Sequence, residues 1–364
     1  MIKKNKIELV YLRTFTCMII IVTHLLTQLT LEHEHLDEKS LQFLYYLRNF
    51  IIFGTPGFIM LSQLLTTLNY KQVNIQYLIK RFKYIFIPYL IMGTFYSYSE
   101  ALYTDSSFKH QFLENVVLGQ WYGYFILIIM QFFILSYIIY KINHKLFNSK
   151  ILLIVSFIVQ QTFLYFFNSH EQFHDIFLHY YPLSENTFIL GWIFYFFVGG
   201  FIGYHYQTVL SFLQNYIVIV ITLAAIAYIV FITAYPHDYW NVTSFTDTLT
   251  VFNVLMFLLL LGVCIHFNEL MYNSVAIVSA FSFFIYLLHP IILDSLFKYT
   301  SIFERHTVIF LAISLLLVLG ICIGVGTLLK EFKIFRFVMG KQPYNYYMNV
   351  TRTNNAIDKN ERSA

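Results

Sequence analysis

The sequence predicts an all-α polytopic membrane helix bundle of about ten transmembrane helices, with both termini cytoplasmic. Three observations carry this. Of 364 residues, 58% are apolar and 12% charged, and the mean hydropathy is +0.64; a soluble domain carries about 25% charged residues. So little charge cannot cover a globular surface of this size, which excludes a soluble domain, a disordered chain, a disulfide scaffold and a nucleic-acid-binding module. Next, the apolar residues fall into ten runs near the length of about 20 residues that a helix needs to cross a bilayer. Finally, lysine and arginine are distributed unevenly among the connections between those runs.

The first run, 9–30, follows Lys3, Lys4 and Lys6 and contains Arg13 and His24. A basic start before an apolar stretch suggests a secretion signal, but no small-residue cleavage site follows. The segment is therefore read as an uncleaved span. The second run, 44–68, contains Pro56-Gly57, an expected kink. Lys80, Arg81, Lys83 and Pro88 mark the start of the third, 77–97. The fourth, 119–140, opens on Trp121-Tyr122. After the fifth, 151–168, comes a polar loop with His170, His174, Asp175 and His179. Two histidines at i, i+4 could hold a metal on a helix, but a solvated loop is the expectation and no metal site is predicted.

The sixth run, 187–206, carries Gly199-Gly200-xx-Gly203, and the tenth, 306–328, carries Gly320-xxx-Gly324-x-Gly326. Both are expected to be small-residue helix contacts. The seventh and eighth runs cover 216–235 and 249–267. The ninth, 274–297, contains His289-Pro290. Cys17, Cys264 and Cys322 sit within apolar runs, where cysteine acts as a small hydrophobe. Residues 1–342 are read as one integral membrane domain and 343–364 as a flexible cytoplasmic tail.

If the N-terminus is cytoplasmic, 17 of the 23 Lys and Arg residues fall on the inner side and five on the outer, with Arg13 inside the first span. That split follows the positive-inside rule and requires an even number of spans. The inner connections near 205–215 and 267–273 contribute no Lys or Arg. Fourteen of the 19 acidic residues fall on the outer side, a bias that would suit a cationic ligand.

Against this sparse background, ionisable residues within spans stand out, because each costs several kcal/mol in lipid. Arg13 and His24 are eleven residues apart, within about 20° of three full helical turns, so they share one face about 16 Å apart along the axis. They read as two stations on one pathway, the cation at the inner mouth and the imidazole in the outer half. Snorkelling of Arg13 to inner phosphates and a plain interhelical bond from His24 are the bland alternatives. His289 lies at a similar depth to His24, one residue before a proline that frees a backbone carbonyl one turn back. It is either bonded to that backbone or the second polar wall of a cavity. Lys80 and Arg81 set topology, and could also bind an anionic donor. Trp121-Tyr122 and Tyr180-Tyr181 are interfacial aromatics that could also stack on sugar rings.

Arg13-x10-His24, Lys80-Arg81 with Pro88, Trp121-Tyr122 and the string Ser282-Phe-Phe-Ile-Tyr286-Leu-Leu-His289-Pro290 resemble the membrane acyltransferase-3 family over about residues 7–340. The chain departs from the family's pattern at Ser62-Gln63, where Ser-Gly is usual, and at Lys83-Tyr84, a reduced form of its repeated arginines. The resemblance implies a multi-pass cell-membrane protein of biofilm exopolysaccharide biogenesis, acting on poly-β-1,6-N-acetylglucosamine. Two activities follow from it: O-acylation, with O-succinylation favoured, or export without acyl-transfer chemistry. For the enzyme, it implies acyl-CoA, succinyl-CoA above all, as donor, with His24 and His289 catalytic. Arg13, Lys80, Arg81, Trp121, Tyr122 and Tyr286 would bind donor or substrate. The implied partners are the exopolysaccharide, the lipid bilayer and the membrane glycosyltransferase that makes the polymer.

Overall fold

The computed structural model describes residues 6–31, 37–104, 106–234, 242–267, 270–300 and 307–340. The tail 343–364 and several counted charges (Lys3, Lys4, Arg305, Lys341, Arg352, Lys359 and Arg362) lie outside the described residues. Among the described residues there are helices and turns and no strand. This is the outcome lipid dictates, because a helix satisfies its backbone polar groups within one segment.

Helix α1 spans Ile7–Leu31, α2 Glu38–Ile51, α3 Gly54–Asn69, α4 Ile75–Arg81 and α5 Ile87–Ala101. Then come α6 Phe108–Phe112, α7 Tyr124–Asn143, α8 Lys150–Ser169, α9 Glu171–Tyr180 and α10 Ile193–Tyr204. The chain finishes with α11 Tyr206–Ala234, α12 Thr250–His266, α13 Tyr272–Tyr299, α14 Thr307–Leu329 and α15 Arg336–Met339. Among the described residues, eight stretches are long and apolar enough to cross a membrane by length and composition, with α2 and α3 counted as one. All ten predicted runs are largely helical, but two fall short of that standard. The run at 77–97 is divided into α4, a π-helical turn at Phe82–Phe86, and α5. Three basic residues interrupt its apolar character, and Pro88 lacks the N–H that a regular helix would bond to Tyr84. The wider turn just before it absorbs that defect. At 187–206, the first residues are used in two 3₁₀ turns, leaving only the 12-residue α10.

The expected kink at Pro56-Gly57 is a break between α2 and α3 at Ile52-Phe53. Pro56 cannot donate to the carbonyl of Ile52, four residues back, so the chain restarts there with Pro56 in the first turn of α3. Helix α11 is interrupted at Tyr216 (φ −131°, ψ 27°).

Helix α1 is central: it packs on α2, α3, α12, α13 and α14. Thr14 Oγ1 donates to Val275 O at 2.8 Å and Cys17 Sγ reaches Ser282 O at 3.5 Å, on α13. Partner numbers rise together along the two helices, so α1 and α13 run parallel. Helices α3 and α10 are also parallel and touch backbone to backbone: a Cβ on Gly199 would overlap the Met60 carbonyl, and one on Gly203 would lie 2.7 Å from Leu64 O. The predicted small-residue contact in the sixth run is therefore present. In the tenth run only Gly326 packs closely, against Phe281; Gly320 and Gly324 have nothing within 4 Å among the described residues. The outer surfaces of α7, α8, α11 and α14 expose Ile138, Ile154, Ile158, Ile226 and Leu316, the apolar exterior a bilayer accepts.

Candidate active site

The parallel packing of α1 and α13 brings His24 and His289 together. Their ring centroids are 5.3 Å apart at an interplanar angle of 38°. His24 is partly buried and meets the ring of Tyr122 edge-on, at 4.5 Å between centroids. His289 is fully buried, and its Nδ1 lies 3.1 Å from the carbonyl oxygen of Ile285. A carbonyl only accepts, so a neutral His289 carries its proton on Nδ1 and leaves Nε2 as a lone-pair acceptor. That Nε2 is buried and has no hydrogen-bond partner among the described residues. A buried polar atom without a partner costs about 1–3 kcal/mol, the cost expected at a site kept ready for a ligand's hydrogen-bond donor. Of the two roles considered for His289, the structure shows the backbone anchor; the residue lines neither of the two cavities described below and reaches them through Tyr286 and His24. The carbonyl it binds is that of Ile285, one residue before the carbonyl that Pro290 frees.

Tyr286 lies one turn below His289 on α13. Its hydroxyl donates to Tyr122 O at 2.6 Å, and its ring packs edge-on against Phe125 at 5.7 Å. Tyr286 also lines a cavity, about 910 Å³ with the open solvent at its mouth included, which Arg13, Arg81, Ser62, Tyr84 and Phe133 line as well. No carboxylate is among the described residues lining it. The Arg81 guanidinium is set over the rings of Tyr77 (4.7 Å) and Phe133 (4.8 Å). Two guanidinium groups at one apolar cavity suit a phosphate-bearing ligand with a long uncharged arm. Lys80 is exposed and does not line this cavity. Adjacent residues on a helix point about 100° apart, and here Arg81 faces the cavity while Lys80 faces away.

Tyr122 borders a second, more open cavity, about 970 Å³ with open solvent included, together with Tyr96, Trp121, Ser184 and Glu185. Trp121 is only 5% exposed and packs against Tyr89 (5.6 Å) and Tyr96 (5.3 Å). Its ring sits against Gly93, so Tyr122 is the more accessible aromatic of the pair. The pair does not open α7 as a helix; it occupies a turn before Tyr124, after Gly119 at φ +76°. Tyr181 hydrogen-bonds Thr187 at 2.7 Å, while Tyr180 is exposed. The predicted polar loop after the fifth run contains α9; His170 precedes that helix and packs on Phe166, and His174 packs on Phe167.

Sequence reasoning did not assign Arg48, Gln28 or Glu185 to the site. Arg48 Nε donates to Thr27 Oγ1 at 2.9 Å, one turn from His24, and its Nη1 to Val242 O at 3.1 Å. Gln28 Nε2 reaches the Tyr122 hydroxyl at 3.5 Å. An arginine within an apolar stretch was the available signal for the first. Nothing local marked the other two: Gln28 meets a residue 94 positions away, and Glu185 borders a cavity lined mainly by distant segments.

Arg13, Arg81, Tyr286, Tyr122, His24 and His289 thus form one continuous constellation, with a basic cavity at one end and an aromatic one at the other. Comparison with known proteins agrees with the family the motifs resemble. The profile of the Acyltransferase domain matches residues 6–327. The chain is 69% identical over 342 residues, 94% of its length and 96% of the relative's, to a "probable poly-beta-1,6-N-acetyl-D-glucosamine export protein" of Staphylococcus epidermidis. It is 64% identical over 347 residues, 95% of its length and 99% of the relative's, to proteins of that description in Staphylococcus aureus strains MSSA476 and MW2. No solved structure matches. With its apolar helices and a domain match covering nearly its whole length, the chain is a multi-pass membrane protein that belongs to the acyltransferase domain family.

Proposed function

We propose that this protein is a membrane O-acyltransferase that moves an acyl group from a cytoplasmic coenzyme A thioester, succinyl-CoA first, to a hydroxyl of poly-β-1,6-N-acetylglucosamine. The observation that carries this reading is the pairing of His24 and His289 between a cavity with two arginines and a cavity with an aromatic wall. The polymer is taken from the description of the relatives. With the N-terminus inside, the orientation that the Lys and Arg distribution supports, the arginine cavity faces the cytoplasm, where thioesters are made. Ten traversals are supported by the parallel packing of α3 on α10. With α7 and α8 each crossing once, α3 and α10 run parallel only if the segment 75–101 also crosses.

Arg13 and Arg81 bind the donor's phosphates. His24 takes the proton of the acceptor hydroxyl as that oxygen bonds to the acyl carbon. The carbon–sulfur bond breaks and the thiol leaves with a proton. Transient acylation of His24 is the covalent variant of the same route. His289 Nε2, being a lone-pair acceptor, orients a hydroxyl of the acceptor. Residues 1–342 form the catalytic domain, and the glycosyltransferase that makes the polymer is the expected neighbour in the membrane.

Export of the polymer without acyl transfer is the second reading, favoured by the description of the relatives. Proteoliposomes separate the two. Purified protein is supplied with radiolabelled succinyl-CoA on the side of the arginine cavity and with an N-acetylglucosamine oligomer on the other. Label entering the oligomer supports acyl transfer. Translocation of polymer with no label transferred supports export and overturns the enzyme.

A further inference from the structure

The second cavity has a feature that the acyl-transfer chemistry does not use: a carboxylate fixed in its wall. Glu185 sits in a short 3₁₀ turn at residues 185–187. That turn is clamped on every side. Ser184 N donates to Leu118 O at 2.7 Å, tying it to the segment that carries Tyr122. Trp192 Nε1 donates to Asn186 O at 2.9 Å, and Gln131 Nε2 to Thr187 O at 2.8 Å. Asn186 Nδ2 holds Glu185 Oε1 at 3.1 Å. A carboxylate held this way is preorganised, so binding costs little further ordering.

Tyr96, Gln120 and Tyr122 line the same cavity. Rings offer flat apolar faces, Gln120 and Asn186 offer amides, Ser184 a hydroxyl, and Glu185 accepts only. This combination fits the alternating C–H and O–H surface of a pyranose ring. Tyr122 also touches the His24 ring, so a sugar seated on this wall lies next to the histidine pair.

We propose that this cavity is the acceptor subsite, and that Glu185 is the residue that recognises a sugar unit by accepting hydrogen bonds from its hydroxyl groups. The assignment rests on the acyl-transfer reading for its role as an acceptor site, but not for sugar binding itself. The experiment is calorimetric titration of the full-length protein in detergent with a β-1,6-linked N-acetylglucosamine oligomer. Wild type is expected to bind, and Glu185→Gln, which keeps the shape and replaces an acceptor oxygen by a donor, to raise Kd at least tenfold. Gln120→Ala, in the same lining, is expected to raise Kd severalfold and covers the case in which Glu185→Gln fails to fold. Absence of binding by wild type at millimolar oligomer, or a Kd within twofold of wild type in the folded variants, overturns the assignment. Failure of acyl transfer itself is read separately, as label transfer in the proteoliposomes, so the two failures are distinguishable.

Discussion

Replacing Gly199 by alanine tests the backbone contact that sets the position of α3, the helix that lines the arginine cavity with Ser62. An ideal Cβ at Gly199 overlaps the Met60 carbonyl oxygen and lies 2.8 Å from Met60 Cα. Carbon atoms in comfortable contact are about 3.5–4.0 Å apart, so the helices must separate by roughly 0.7 Å or more. No rotamer change relieves this, because the obstacle is backbone. Overpacking of this kind costs about 1–3 kcal/mol. Alanine also gains about 1 kcal/mol over glycine within a helix, which would blur a single measurement. Gly320→Ala on α14 supplies the reference, since a Cβ there has nothing within 4 Å among the described residues. The difference between the variants isolates the packing cost, about 5- to 150-fold in unfolding equilibrium. Unfolding of the purified protein by titration from mild detergent into denaturing detergent measures it. If Gly199→Ala is as stable as Gly320→Ala, the close approach of α3 and α10 is wrong.

Three further outcomes follow from the same geometry. Arg81→Ala should raise the donor KM at least tenfold while Lys80→Ala stays within twofold, measured by acyl transfer in proteoliposomes; equal effects would contradict the one-sided cavity. Ser136 Oγ donates to Gln63 Oε1 at 2.7 Å in the core, so Gln63→Leu should destabilise by about 1–3 kcal/mol by stranding the hydroxyl. Combining it with Ser136→Ala should recover part of that loss in the same unfolding assay. In a background lacking Cys17, Cys264 and Cys322, all buried, a cysteine at Lys145 should react with a membrane-impermeant thiol reagent only in inside-out vesicles. One at Gln172 should react in intact cells; the reverse pattern would invert the proposed path.

The sequence reveals the bundle because lipid imposes a strong pattern: long apolar runs, with charge confined to their ends. It also reveals Arg13 and His24 on one stripe, since that needs only helical periodicity. That His24 meets His289 could be expected from similar depth, but the contact depends on α1 packing parallel to α13. What stayed hidden has physical reasons. The cut at Ile52 and the π turn at Phe82–Phe86 arise where proline removes a donor, and periodicity places such defects only approximately. Lys80 was grouped with Arg81 because adjacency in sequence ignores the angle between neighbouring side chains. Gly320 and Gly324 match a packing motif yet meet nothing within 4 Å among the described residues, because small residues permit a contact without creating one. Gln28 meets a partner far along the chain, and Glu185 borders a cavity whose other lining residues come largely from distant segments. Gln63, noted only as a departure from the family's Ser-Gly, is a buried partner of Ser136.

The central claim is that His24 carries acyl-transfer chemistry rather than polymer movement. Its most direct test is the ester content of surface polymer from cells making His24→Ala at wild-type protein abundance. The account predicts polymer at the surface that has lost its O-acyl groups. Ester content equal to wild type would contradict it.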